Sequence, residues 1–335
     1  MPVRPLVSIV APAFNEADGI DAFLDQTIAA MGAIGEPYEI IVVDDGSRDD
    51  TVLRVARRCA GSSNIKLLRL SRNFGKEAAL NAGLAHASGA AVVQIDSDLQ
   101  HPPEVIADLL AQWREGGEIV YAQRRSRESD PLLRRLATGA FYRLFGAISD
   151  VQLMPGLGDF LLLDRRVVDA MLRLPERERF TKGLYAWVGF RRVAVPFDVA
   201  PRQHGRSSFR PGRLVRLGMD AVTAFGSLPL RIWTYVGLTL ALIGLGYAIF
   251  VTLRTLIFGV ETPGYASLMV AICFFSGVQL IGIGLIGEYL GRVLVEVKQR
   301  PLYIVSEALG FEPAAALDEH QNVEQTVAHL GRRAG

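Results

Sequence analysis

The sequence predicts an α/β protein: a mostly parallel sheet with helices on both faces, followed by a C-terminal hairpin of two apolar helices. Three observations carry this. Short β-branched runs alternate with stretches of helical spacing from residue 6 to residue 199. Acidic and glycine residues gather where several of those runs end. Two long stretches, 232–253 and 266–287, contain no charged residue.

Taken in order, residues 6–11 read as a buried strand, with helical spacing over 17–31. A second strand starts at Tyr38 and ends in Asp44-Asp45-Gly46-Ser47. Asp49, Asp50 and Thr51 cap a helix that runs to residue 57. A strand over 65–70, a loop over 71–77 and a helix over 78–87 follow. Residues 90–95 form the next strand, and Pro102-Pro103-Glu104 opens the helix after it. Further strands are expected over 118–122 and, as the last, 192–199, with helices over 168–174 and 180–187. Strands alternating with helices imply parallel, doubly wound pairing, with ligands at the carboxyl ends of the strands.

The formal net charge of +1 gives no global field for nucleic acid. The two cysteines, Cys59 and Cys273, suggest neither a disulfide framework nor a zinc site. No Gly-x-Gly-x-x-Gly or Gly-x-x-x-x-Gly-Lys follows a strand, which disfavours a dinucleotide fold and a P-loop. The start runs directly into a strand without a signal peptide, so the N-terminal part is expected to stay in the cytoplasm.

The most informative stretch is Asp96-Ser97-Asp98-Leu99-Gln100-His101, directly after a β-branched run. Two carboxylates at a strand mouth repel each other unless a cation joins them. Oxygen ligands there point to Mg²⁺ or Mn²⁺, which commonly bridge to phosphates. A solvated turn is the plainer reading of an isolated Asp-x-Asp, and the preceding strand argues against it. Asp159, in a glycine-rich turn among apolar residues, is either a turn former or a functional carboxylate. Arginines cluster from Arg124 onward, and residues 132–145 and 210–225 read as basic amphipathic helices; the first is either a surface helix with a solvated basic face or a helix lying at a membrane interface.

The mean hydropathy of +0.24 reflects the C-terminal third. Each uncharged stretch exceeds the roughly 20 apolar residues that span a bilayer. Trp233, Tyr235 and Tyr265 lie near their ends, as interfacial aromatics do. Arg210, Arg213, Arg216 and Arg231 precede the pair, and Arg292, Lys298 and Arg300 follow it, with Arg254 the exception. Positive charge stays inside, so both ends are expected in the cytoplasm and residues 261–264 outside. The glycines of the two spans could pack against copies of the chain as a homo-oligomer. The expected division is 1–209 catalytic, 210–230 juxtamembrane helix, 231–258 and 265–290 spans, and 291–335 a cytoplasmic tail, polar beyond residue 311.

Several motifs occur together: Pro12-Ala13-Phe14-Asn15-Glu16, Val43-Asp44-Asp45-Gly46-Ser47, the stretch 71–79, the stretch 96–104, and Gly158-Asp159-Phe160. In this order they resemble the family 2 inverting glycosyltransferases of the Rossmann-like GT-A fold. Within these the chain is similar to the polyprenyl-phosphate glycosyltransferases, such as dolichol-phosphate mannose synthase, bactoprenol glucosyltransferase and undecaprenyl-phosphate aminoarabinose transferase. The resemblance extends from residue 6 to about residue 305, hairpin included.

The resemblance implies metal-dependent, inverting transfer of a sugar from a nucleotide sugar, with uridine the expected base, to a polyprenyl phosphate at a bacterial inner membrane. It assigns Pro12, Phe14, Glu16, Asp45, Lys76 and Asp96 to the donor, and Asp96, Asp98 and Gln100 to the metal. It assigns Arg124, Arg134, Thr138 and Arg202 to the acceptor phosphate. Asp98 and Asp159 are the expected catalytic carboxylates. The chain departs from the family in three places. Phe14 replaces a commoner tyrosine, and Gly156 stands where an acid is often found. In the closing loop, Arg206 and Ser208 replace an acid and a lysine. Two alternatives stay open: a processive polysaccharide synthase, whose Gln-x-x-Arg-Trp motif is absent here, and a catalytically lapsed membrane-anchored binding protein.

Overall fold

The computed structural model of the protein describes residues 6–124, 157–174, 176, 181–197, 228–258 and 264–311. The chain divides into two compact units, residues 1–99 with 303–335, and residues 100–302.

The first unit is built on strands β1 (Val7–Ala13), β2 (Tyr38–Asp44), β3 (Ile65–Leu70) and β4 (Ala91–Gln94). β1 pairs in parallel with β2 on one side and β4 on the other, and β2 pairs in parallel with β3. Helices α1 (Ile20–Ile34), α2 (Thr51–Gly61) and α3 (Lys76–His86) connect them. Ile9, Val10, Ile40–Val43 and Val92 are fully buried, as a parallel sheet covered on both faces requires. Each such side chain stabilises the fold by about 1.5–3 kcal/mol.

One charged residue sits inside this core. Glu39 is only 2% exposed, with its carboxylate accepting from Ser8 Oγ, from Ser88 N at 2.7 Å and from Lys66 Nζ at 2.6 Å. Burial pushes its carboxyl up. The bonds from Lys66, Ser8 and Ser88 outweigh that and hold it below the usual range.

The sheet of this unit has a strand that the sequence reading missed. Residues 192–197 are not the last strand. β8 (Val305–Leu309), beyond both apolar helices, pairs antiparallel with β3. Residues 303–311, within the stretch expected as the C-terminal tail, therefore belong to the first unit.

The second unit carries β5 (Ile119–Arg124), β6 (Leu161–Asp164) and β7 (Arg192–Phe197), with β5 antiparallel to β6 and parallel to β7. A short 3₁₀ turn, Pro103–Val105, leads into α4 (Ile106–Arg114). Asp164 caps α5 (Arg165–Leu172) by accepting from Arg166 N at 2.9 Å, and also accepts from Trp113 Nε1 at 2.8 Å. α6 (Thr181–Trp187) precedes β7. The unit ends in α7 (Leu228–Phe258) and α8 (Tyr265–Val297). Within them, Trp233–Phe258 and Phe274–Val297 are long and apolar enough to cross a membrane. Among the described residues almost none of that surface is covered by protein, unlike the core helix of a water-soluble domain. The pair associates with a membrane.

Element ends shift from the sequence reading by a few residues. α1 starts three residues late because Glu16 O first closes a turn on Gly19 N and Ile20 N. α2 continues four residues past the expected end, to Gly61. The basic helices expected over 132–145 and 210–225 lie outside the described residues.

Candidate active site

The loops that follow β1, β2 and β3 are tied to one another by backbone-to-side-chain bonds. Asn15 N donates to Ser47 Oγ at 2.8 Å, and Arg48 N returns a bond to Asn15 Oδ1 at 2.9 Å. Glu16 N donates to Thr51 Oγ1 at 2.9 Å, and Ala17 N to Asp49 Oδ2 at 3.1 Å. Asn15 adopts φ 54°, a left-handed conformation that asparagine tolerates. Gly46, at φ 75°, has no such choice. A Cβ there would lie 2.6 Å from the Arg72 carbonyl carbon.

Asp45 is buried and receives the 71–75 loop. Its Oδ1 accepts from Phe74 N at 2.7 Å and its Oδ2 from Gly75 N at 2.9 Å. Burial raises its carboxyl above the usual range, with these two bonds pulling back. Asp44 is raised for the same reason, against bonds from Ser47. The Asp-Asp-Gly-Ser turn is thus the frame on which the neighbouring loop is hung.

Between these loops lies a cleft of about 500 Å³, whose lining includes Phe14, Gly46, Arg69, Arg72, Asn73 and Ser306. Phe14 keeps 42% of its surface exposed. Arg72 stacks on the Phe74 ring at 4.0 Å. An open aromatic ring with guanidinium groups beside it suits a flat base carrying phosphates.

The acidic stretch follows β4 directly. Ser97 Oγ donates to the Pro12 carbonyl at 3.0 Å and so fixes it to the end of β1. Along this one continuous loop, a ligand atom from each of Asp96, Asp98 and His101 lies within 4.8 Å of the others. The two carboxylates are oxygen ligands of the kind that suit Mg²⁺ or Mn²⁺. Leu99, between them, is held at φ 59°. A bulky side chain rarely adopts that conformation, and such strain collects at functional loops. Lys76, the first residue of α3, places Nζ 2.7 Å from Asp96 Oδ1.

In the second unit, Asp159 pairs with Lys182 Nζ at 3.1 Å, at the start of α6. Arg124 ends β5, in register with Phe197. His101 also contacts the rings of Phe160 and Phe197, with centroids 5.4 and 5.8 Å away.

The structure therefore brings Pro12, Phe14, Glu16, Asp45, Lys76, Asp96 and Asp98 to one end of one sheet. Arg134, Thr138 and Arg202 lie outside the described residues, as does the closing loop with Arg206 and Ser208. Sequence reasoning overlooked three participants. His101 lies in the acidic motif with no role assigned by the pattern, Lys182 carries no motif signal, and Ser306 belongs to a strand that the sequence does not predict.

The chain matches the Glycosyl transferase family 2 model over residues 8–170 and the GtrB C-terminal hairpin model over residues 228–293. It is 47% identical over 306 residues to the uncharacterized glycosyltransferase sll0501 of Synechocystis sp., covering 91% of this chain and 96% of that one. It is 42% identical over 304 residues to the SfII prophage-derived bactoprenol glucosyl transferase of Shigella flexneri, covering 90% and 98%. A prophage bactoprenol glucosyl transferase homolog of Escherichia coli is 40% identical over 299 residues, covering 89% and 98%. With an acidic strand-end loop, a cleft suited to a phosphorylated base and an apolar hairpin, the chain belongs to the family 2 glycosyltransferases of GT-A fold.

Proposed function

We propose that the protein transfers a sugar from a UDP-sugar to undecaprenyl phosphate, giving a polyprenyl phosphosugar with inverted anomeric configuration. The observation that carries this reading is the match along 90% of the chain, hairpin included, to a bactoprenol glucosyl transferase. The cleft and the acidic loop supply the chemistry it needs.

Phe14 offers its ring to the base, while Pro12, Glu16 and Asp45 frame the nucleoside. Asp96 and Asp98, with His101 or Gln100, would hold Mg²⁺ or Mn²⁺. That ion, when bound, supplies Lewis-acid stabilisation to the departing diphosphate. Lys76 adds a positive charge beside Asp96 for the same anion. Arg124, Arg134, Thr138 and Arg202 receive the acceptor phosphate, since planar guanidinium forks suit phosphate oxygens. That phosphate is already anionic at pH 7, so no strong base is required. Asp159, steadied by Lys182, orients the acceptor or a sugar hydroxyl.

The acceptor is a lipid, which accounts for a lipid-facing hairpin. β8 returns after the hairpin to the sheet that begins at residue 7, which supports both flanks lying on one side of the bilayer. The arginines at those flanks favour the cytoplasmic side of a bacterial inner membrane. In a background with Cys59 and Cys273 replaced, Thr262→Cys should label from outside with an impermeant reagent. Ser63→Cys should not. Labelling of Ser63→Cys alone would reverse the orientation.

The deciding experiment offers labelled UDP-sugars and undecaprenyl phosphate to the purified protein. A lipid phosphosugar is expected, with activity lost in EDTA, restored by Mg²⁺ or Mn²⁺, and abolished by Asp98→Asn. A polymeric product would make the protein a processive synthase. No transfer from any donor would leave it a binding protein.

A further inference from the structure

We propose that residues 304–311, the stretch after the second apolar helix, form a working wall of the nucleotide cleft, so that docking of this stretch and donor binding strengthen each other. The inference rests on the donor reading above and adds to it a segment and a coupling.

The stretch is fitted to its place along its whole length. Ser71 N donates to Ile304 O at 2.9 Å, which ties it to the loop that carries Arg72 and Asn73. In the ladder, Leu67 faces Leu309, Leu68 faces Ala308, and Arg69 faces Glu307, with a register shift between Arg69 and Leu70. Ser306 Oγ donates to Arg69 O at 3.1 Å, and Glu307 Oε2 lies 3.7 Å from Arg69 Nη1. Gly310, at φ 79°, passes so close to β3 that a Cβ would sit 2.8 Å from Ile65 O. Phe311 then closes edge-on against His86, centroids 5.6 Å apart, with Lys66 Nζ 5.1 Å from its ring centroid.

Two of these contacts bear on the cleft. Ser306 lines it directly, and Arg69, which also lines it, is held from the β8 side through both its carbonyl and its guanidinium. A nucleoside diphosphate in the cleft would therefore meet a surface that exists only while β8 is docked. β8 itself is weakly held. Its central residues Ser306, Glu307 and Ala308 are exposed, and it has one neighbouring strand in its unit. Such an edge opens locally at low free energy. A ligand that binds only the closed form suppresses opening by the factor 1 + [L]/Kd, about 100-fold at 100 times Kd. By reciprocity, loosening the strand must weaken the ligand.

The test is amide hydrogen exchange on the full-length protein in detergent, with UDP, ADP and GDP as probes, alongside direct binding measurements. With the nucleotide that binds, exchange at residues 305–309 should slow, by up to about 100-fold at 100 times Kd. Phe311→Ala lies outside the cleft lining, so it should weaken that nucleotide through the strand alone. Binding that leaves exchange at 305–309 unchanged, with Phe311→Ala binding as tightly as wild type, would overturn the coupling and leave the donor reading intact. Failure of every nucleotide to bind the wild-type protein would overturn the donor reading and the coupling with it.

Discussion

β2 and α7 are both apolar, yet they meet opposite surroundings. In β2, Ile40, Ile41, Val42 and Val43 are fully buried between β1 and β3. In α7, Leu238, Leu242, Ile243 and Leu256 expose between 57% and 77% of their surface. Hydrophobicity therefore does not by itself assign a residue to a protein core. A run of a few β-branched residues is covered by neighbouring strands and crossover helices. Along a helix of 31 residues the described apolar side chains are mostly left uncovered by protein, a surface suited to lipid. The polar groups follow the same division. Where β2 starts, a buried carboxylate is tolerated because four groups bond to it. Along 232–253 there is no charged side chain at all.

Substitutions at the two regions sharpen this contrast. The largest effect is expected for Glu39→Ala, which leaves the Lys66 ammonium without its carboxylate in a mostly covered position. A loss of about 3–5 kcal/mol is expected in urea unfolding. The pH dependence carries a definite sign. The Glu39 carboxyl is held below its ordinary value in the folded protein. Its stabilising contribution is therefore present above the unfolded pKa, about 4.3–4.5, and is lost as pH falls through the folded value. The gap between wild type and Glu39→Ala should narrow in acid. A gap that widened below pH 4 would contradict the bonding described for Glu39.

Leu67→Ala comes next. Leu67 is fully buried in β3, and its truncation should cost about 2–5 kcal/mol by the same measurement. Leu256→Ala is the counterpart in α7, at a residue 77% exposed. Its effect on unfolding in detergent should stay within about 0.5 kcal/mol. If the two truncations proved equally costly, α7 would be packed against protein and the contrast between the regions would collapse.

The parts of the fold and site that the sequence disclosed are those written locally. Asp96 and Asp98 were legible because they end a β-branched run, and strand ends are where α/β sheets bind ligands. The two apolar helices were legible from their length, their lack of charge and the aromatic residues near their ends. The hidden parts depend on pairings across long stretches of chain. Val305-Ser306-Glu307-Ala308-Leu309 has a composition that only the open edge of β3 turns into a strand, and Ser306 and Arg69 are 237 positions apart. The Asp45 carboxylate looked like a ligand group. Its bonds to Phe74 and Gly75 show that it also builds the loop beside it, a task that no pattern around residue 45 announces. Lys182 was unreadable for the same reason, since its partner Asp159 belongs to a different turn.

The late position of β8 has a consequence for how the protein is made. Residues 7–94 can assemble as soon as they are synthesised, but one rim of β3 then waits for its last neighbour. Residues 305–309 emerge only after both apolar helices have been translated. Throughout that interval β3 presents unpaired backbone groups, the kind of rim that recruits stray strands. A ribosome delivering the helices promptly to the bilayer shortens the interval, and one stalled within them prolongs it. Closure of this rim thus follows the hairpin in the order of synthesis, and a finished rim marks a chain whose hairpin has already been made.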